Sequence, residues 1–330
     1  MVRRTGKPSP EGRRVWVTAG VVRRVAPYAS LLAMAIVLSL LSPHFLTLEN
    51  LFAIGVQMAV IAIMAIGQIL IIISAGIDLS VGSVMALAGV ICTMLVVSGV
   101  PIGLGILAGT LVGGVCGLVN GSLIAYGFLP PFIATLGMMG IARGAALLLT
   151  GGVPIFGLPP GFNFLGGGRI LFGLPVPVAI LIALALAGHF VLTRTRFGRY
   201  VFAIGSNAEA ARLSGINVRA TLTRIYTYAG LLYGFAGVLM ASRLSTGQPT
   251  AGTGYELDVI AACVIGGASL SGGEGTVLGA IMGALIMGVL RNGCNLLDIS
   301  AFWQQIAIGV IIVAAVFSDQ YRKHKLGRFG

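Results

Sequence analysis

Long apolar runs dominate this chain, separated by short polar stretches. Runs near 25–43, 51–73, 81–99, 101–126, 131–150, 171–192, 223–243, 257–270, 275–292 and 301–317 approach or match the length of a membrane-spanning helix, which needs about 20 apolar residues. The pattern predicts an all-α polytopic membrane protein of about ten transmembrane helices, some discontinuous where Gly or Pro interrupts them. The basic tail and the apolar run from Pro27 to Leu41 resemble a signal peptide. No clean small-residue cleavage site follows, so the run is read as a retained first helix.

Composition agrees. Hydrophobic residues make up 57% of the chain and charged residues 9%, against about 25% charged in soluble domains. The 50 glycines show no collagen-like period and suit closely packed membrane helices. The formal net charge of +12 is unevenly spread. Of 21 Lys and Arg, 17 lie within 1–24, 193–224 and 318–330, whereas 44–50, 244–256 and 293–300 contain none. Basic residues flanking apolar spans mark the cytoplasmic side, and ten spans place all three basic segments there, both termini included. The expected organisation is a basic N-terminal tail (1–24), a transmembrane domain (25–318) with a cytoplasmic loop (193–222), and a basic C-terminal tail (319–330). No nucleic-acid-binding module is recognisable, so nucleic acid is not expected as a partner. Cys92, Cys116, Cys263 and Cys294 form no CxxC or metal spacing and read as buried small hydrophobes.

Four segments stand out. Gly105, Gly109, Gly113, Gly117 and Gly121 repeat every four residues, which places them on one helix face where a neighbouring backbone can approach. That face serves either static packing or sliding. Asp78 is the only acidic residue between Glu49 and Glu209. Its carboxylate suits a helix N-cap, and an ionisable group at membrane depth equally suits a transport path. The stretch 129–144 begins with Pro130 and Pro131 and carries Gly137, Gly140, Arg143 and Gly144. It reads as a broken or kinked helix, with Arg143 turned inward or to an interface. In the loop 193–222, Asn207 can cap a short helix over 208–214 that Gly215 ends. Such a helix can dock on another protein or lie on the lipid surface. A short echo links 76–83 with 267–274.

No GxxxxGK[ST] phosphate loop occurs, so the chain is not expected to hydrolyse ATP. His44, His189 and His324 are isolated, and neither a metal set nor a nucleophile–base pair is evident. An enzyme is therefore not expected, and the acids within spans are too few for an obvious proton relay.

GIDLSVGS at 76–83, PPFIATLG with IARG at 130–144, FGRYVFAIGSNAEAARLSGINV at 197–218 and, more loosely, 161–178 resemble the ribose-type permeases of ABC importers. The resemblance covers roughly 45–318. It implies a fold similar to the vitamin B12-type importer and a bacterial inner-membrane location. It also implies an ABC ATPase partner that uses the ATP, a periplasmic sugar-binding protein, a second permease copy and no cofactor in this chain. The expected cargo is ribose or a related pentose or hexose, with inositol or other polyols second. Asp78, Ser80, Phe132, Thr135, Gly137 and Arg143 are the candidate pathway residues. Arg199, Gly205, Asn207, Glu209, Arg212 and Gly215 are the candidate ATPase-coupling residues, and the five ladder glycines are the packing residues.

Overall fold

A computed structural model describes residues 27–327, and the expected N-terminal tail lies outside them. The described residues are helical apart from turns and two isolated bridges. In chain order the helices are α1 (Pro27–Leu41), α2 (Leu48–Ile73), α3 (Val81–Val97), α4 (Ile102–Ala125), α5 (Pro131–Thr150), α6 (Phe164–Gly167), α7 (Val176–Arg194), α8 (Arg196–Ser206), α9 (Ala208–Leu213), α10 (Val218–Leu244), α11 (Tyr255–Ile265), α12 (Val277–Leu296) and α13 (Ala301–Gly327). Short 3₁₀ turns flank α6.

Every apolar run holds a helix, but only six helices among the described residues are long and apolar enough to cross a membrane: α2, α4, α5, α7, α10 and α12. The expectation was about ten. For α3 and α11 the shortfall has a local cause. α3 has 17 residues and α11 has 11, because each is preceded by non-helical backbone, at 74–80 and 245–254. The break expected within 129–144 is absent: α5 runs unbroken from Pro131 to Thr150. Pro131 occupies the first helical turn, where a missing N–H costs nothing. Interior glycines do not break a helix whose backbone groups have no better partner in apolar surroundings. The helix stops at Gly151, which is left-handed with φ 61°. At the other end of the chain, residues expected to form a tail continue α13 as far as Gly327.

α2 is the hub. It packs against α10, α12, α7 and α11, and every residue from Met58 to Ile73 is buried. α10 packs most extensively on α4 and also on α3 and α2. All five ladder glycines are buried, and a β-carbon on any of them would collide with a neighbour. At Gly113 it would overlap the Gly230 carbonyl oxygen and lie 2.6 Å from Gly234 Cα; at Gly117 it would overlap the Tyr226 carbonyl. Gly121 meets Thr223 of α10, Gly109 meets both Val238 of α10 and Ala88 of α3, and Gly105 meets Val96 and Cys92 of α3. One stripe thus brings α4 into backbone contact with two helices. The outward faces of α4, α5, α7 and α13 expose large apolar side chains such as Leu111, Ile141, Phe190 and Phe302, the surface a bilayer requires.

Candidate functional sites: a buried polar cluster and a surface loop

At the end of α2 the chain turns sharply through Ala75, which has φ 65°. It then returns alongside the helix it has left. Gln68 Nε2 donates to the Asp78 carbonyl at 3.3 Å, and Tyr233 Oη donates to Gln68 Oε1 at 2.8 Å. Asp78 does not cap α3 as expected. The N-cap is Ser80, whose side chain makes no capping bond. Asp78 Oδ1 instead accepts from Ser80 N (2.7 Å) and Ser80 Oγ (2.6 Å), so the carboxylate pins the turn two residues ahead of it. Ser80 Oγ also accepts from Asn120 Nδ2 at 3.1 Å. Thr135 Oγ1 accepts from Leu79 N at 3.2 Å and lies 2.9 Å from the Pro131 carbonyl oxygen, to which its hydroxyl can donate. Gln68, Asp78, Ser80, Asn120, Thr135, Tyr226 and Tyr233 are all buried. Asn120 Oδ1 and Tyr226 Oη have no hydrogen-bond partner.

Asp78→Ala should therefore be far worse than Asp78→Asn. Alanine leaves the Ser80 N–H and hydroxyl without an acceptor, and each such buried loss costs about 1–3 kcal/mol. Asparagine keeps one acceptor oxygen. Thermal melting of the purified protein should show a large drop for Ala and a small one for Asn; equal drops would mean that the charge, not the acceptor, holds the turn.

The six candidate pathway residues separate. Asp78, Ser80 and Thr135 meet in this cluster. Phe132 is exposed, and Gly137 faces open space. Arg143 donates from Nη1 to the carbonyls of Pro249 and Ala251, tying α5 to the 245–254 segment. The start of α3 meets the same segment, because a β-carbon on Gly82 would overlap the Gly252 carbonyl. The sequence marks 244–256 only as a loop without Lys or Arg; its contacts with Arg143 and with the start of α3 come from the fold.

The candidate coupling residues fall into two kinds. Asn207 Oδ1 accepts from Ala210 N at 2.9 Å and caps α9, as expected. Glu209 and Arg212 form an exposed two-bond pair at 2.6 and 3.0 Å. That pair holds the Glu209 carboxyl below the usual carboxylate range. Gly215, with φ 84°, follows the end of α9, and Arg199 is also exposed. Gly205 differs: it is buried. α8 is amphipathic and presents Gly198, Val201, Ile204 and Gly205 inward. Gly205 lies against the Ile73 carbonyl at the end of α2, and the same oxygen accepts from Gly273 N at 2.9 Å. Of the two echoing segments, 267–274 meets this junction through Gly272 and Gly273. Among the described residues, no cluster of His, Cys, Asp or Glu could hold a metal ion.

Membrane-length apolar helices around a polar buried cluster, with an amphipathic loop seated at one end, mark a multi-pass membrane protein. The family model described as "Branched-chain amino acid transport system / permease component" matches residues 50–316. The chain is 45% identical to the ribose import permease protein of Escherichia coli strain K12, over 94% of this chain and 98% of that protein. It is 43% identical to the ribose import permease protein of Bacillus subtilis strain 168 (91% and 94% covered) and 38% identical to the D-allose transport system permease protein of Escherichia coli strain K12 (89% and 91% covered). The chain belongs to this permease family, in agreement with the ribose-type resemblance of its motifs. No solved structure matches it.

Proposed function

We propose that this chain is the membrane-spanning permease subunit of an ATP-driven monosaccharide importer, without an ATPase site of its own. The observation that carries this reading is the 45% identity, across 94% of the chain, to a ribose import permease. Ribose or a related pentose or hexose is the proposed cargo, with inositol or another polyol second. Relatives at 39% and 37% identity are permease proteins for L-arabinose and xylose, which supports the sugar class.

Counting α1, α3, α11 and α13 with the six long helices gives ten crossings of the bacterial inner membrane, in a fold like the vitamin B12-type importers. Both termini then share the cytoplasmic side with α8 and α9. On that side a separate ABC ATPase binds the ATP, and α8 and α9 receive its motion. A periplasmic sugar-binding protein delivers cargo at the other end, and a second permease copy completes the path. Asp78, Ser80, Thr135 and Arg143 organise the interior of the path. Phe132 and Gly137 lie on an α5 face left open for the second copy.

Glu209 and Arg212 are exposed and paired mainly to each other, so changing them should leave folding intact. Glu209→Ala and Arg212→Ala should each lower sugar uptake and permease-stimulated ATP hydrolysis together, several-fold, at normal membrane abundance. A panel across 205–216, Gly205 apart, that leaves both rates unchanged would return this loop to a lipid-surface role.

A further inference from the structure

A polar chamber of about 590 Å³ opens between α2, α10, α11, α12 and α13. Its walls carry Gln57, Arg243, Tyr255, Asp258, Arg291 and Gln305. A second hollow of about 290 Å³ shares Gln57 and Arg243 with it and adds Glu49 and Arg169. Glycine and aliphatic carbon dominate this bundle, so so many polar groups around one void require a reason. Charged groups within a membrane domain persist where they pair or face water and solute.

Two kinds of polar group are present. Arg291 Nη2 lies 2.6 Å from Asp258 Oδ2, and the aspartate is buried. That pair has settled its own charge. Gln57, Gln305 and the Arg243 guanidinium differ. Among the described residues, none of the three side chains makes a hydrogen bond within the chain, yet all three line the void. Gln57 and Arg243 are half-buried and Gln305 is exposed, so none of the three is committed to holding the fold and each is free to meet a solute in the chamber. An amide offers two donors and an acceptor, and a guanidinium offers a planar set of donors. This is the complement of vicinal hydroxyls. Across the two hollows Glu49 and Asp258 stand against Arg169, Arg243 and Arg291, and the two neutral amides, Gln57 and Gln305, are the groups that match hydroxyls rather than a charge. The volume lies within the range of small-molecule sites.

The position also fits. Gln57 lies in the first half of α2, whereas Ile73 and the Gly205 junction lie at its far end. Arg291 and Asn295 close α12, and Gln305 belongs to the first turns of α13. The chamber therefore occupies the half of the bundle away from α8 and α9.

We infer that Gln57, Arg243 and Gln305, beside the Asp258–Arg291 pair, form a binding station for a neutral, hydroxyl-rich solute in the half of the permease remote from its coupling loop. This rests on the importer reading above. The test uses the complete importer in proteoliposomes, with permease, ATPase and cognate binding protein, and measures uptake of radiolabelled D-ribose. Gln57→Leu with Gln305→Leu should lower the uptake rate about tenfold at saturating loaded binding protein, since each lost hydrogen bond is worth roughly 2–10-fold. Folded yield should stay near wild type, and Gln57→Asn with Gln305→Asn should recover part of the rate. Wild-type ribose uptake together with undiminished uptake by the Leu variant overturns the station while leaving the importer reading intact. Competition by D-gluconate as strong as by unlabelled ribose overturns the assignment to neutral solutes. Failure of the wild-type importer to take up ribose, xylose or inositol overturns the importer reading, and this inference with it.

Discussion

Gly205→Ala should abolish transport, and it should do so by adding a single carbon. The residue is buried in α8, and a β-carbon there would overlap the carbonyl oxygen of Ile73. That oxygen cannot yield cheaply. It ends α2, the bundle's most enclosed long helix, and it accepts the Gly273 N–H at 2.9 Å. Gly272 fills the remaining space, against Ala75 and the Gly205 carbonyl. An added methyl must either lift α8 off the bundle or break the Ile73–Gly273 bond. Overpacking costs about 1–3 kcal/mol where side chains can rearrange, and here the obstacle is backbone, so the expected loss lies at or above that range. The purified variant should melt well below wild type, and any folded fraction should fail to transmit ATP hydrolysis into uptake. Gly215→Ala is the control for melting alone. Gly215 is exposed with φ 84° and nothing within 4 Å, so it should cost only about 1 kcal/mol of backbone strain. Wild-type melting and uptake in Gly205→Ala would mean that α8 does not seat on the end of α2.

Gly113→Leu should prevent the bundle from forming. Gly113 faces the Gly230 carbonyl and the backbone of Gly234, in the middle of the α4–α10 contact. A β-carbon on Gly230 would in turn collide with the Gly113 carbonyl, and one on Gly234 with the Thr110 and Gly109 carbonyls, so the approach is mutual and neither helix can relieve it. A leucine forces the two backbones apart and removes the packing that holds helices together in lipid, where no hydrophobic drive replaces it. Folded yield from detergent extraction should fall by at least tenfold. Gly103→Leu on the same helix faces open space and should be recovered normally. Equal recovery of the two variants would show that the stripe does not carry the contact.

Helix positions were readable because span length is a local property: each apolar run from 25–43 to 301–317 holds a helix. The ladder was readable for the same reason, since a four-residue spacing fixes one face. Its partner was not. Gly230, Gly234 and Gly237 follow no equally regular spacing, and only the tertiary fold pairs them with Gly113 and Met85. α9 was legible from Asn207 and Gly215, whereas the separate α8 was hidden in the same loop. Of the broken and kinked readings of 129–144, the broken one fails because Gly137, Gly140 and Gly144 stay helical within α5, which Pro131 begins as the sequence suggests. The real interruptions at 74–80 and 245–254 are stabilised by distant groups: Thr135 and Gln68 for the first, Arg143 for the second. Asp78 was recognised as unusual, but its partners came from the fold. Gly205 was placed with the exposed coupling residues, and only the packing of α8 shows it to be buried. The chamber could not be foreseen, because Gln57, Arg243, Asp258, Arg291 and Gln305 come from five helices.

The central claim is that this chain is a passive path driven by a separate ATPase. The direct measurement is uptake of radiolabelled D-ribose into proteoliposomes containing the permease, its ATPase and its binding protein, with ATP and ion gradients varied independently. Uptake should require ATP and the ATPase, stop with a non-hydrolysable ATP analogue, and continue when an uncoupler collapses the proton gradient. Uptake by the permease alone, driven by an ion gradient and abolished by the uncoupler while ATP remains high, would contradict the account.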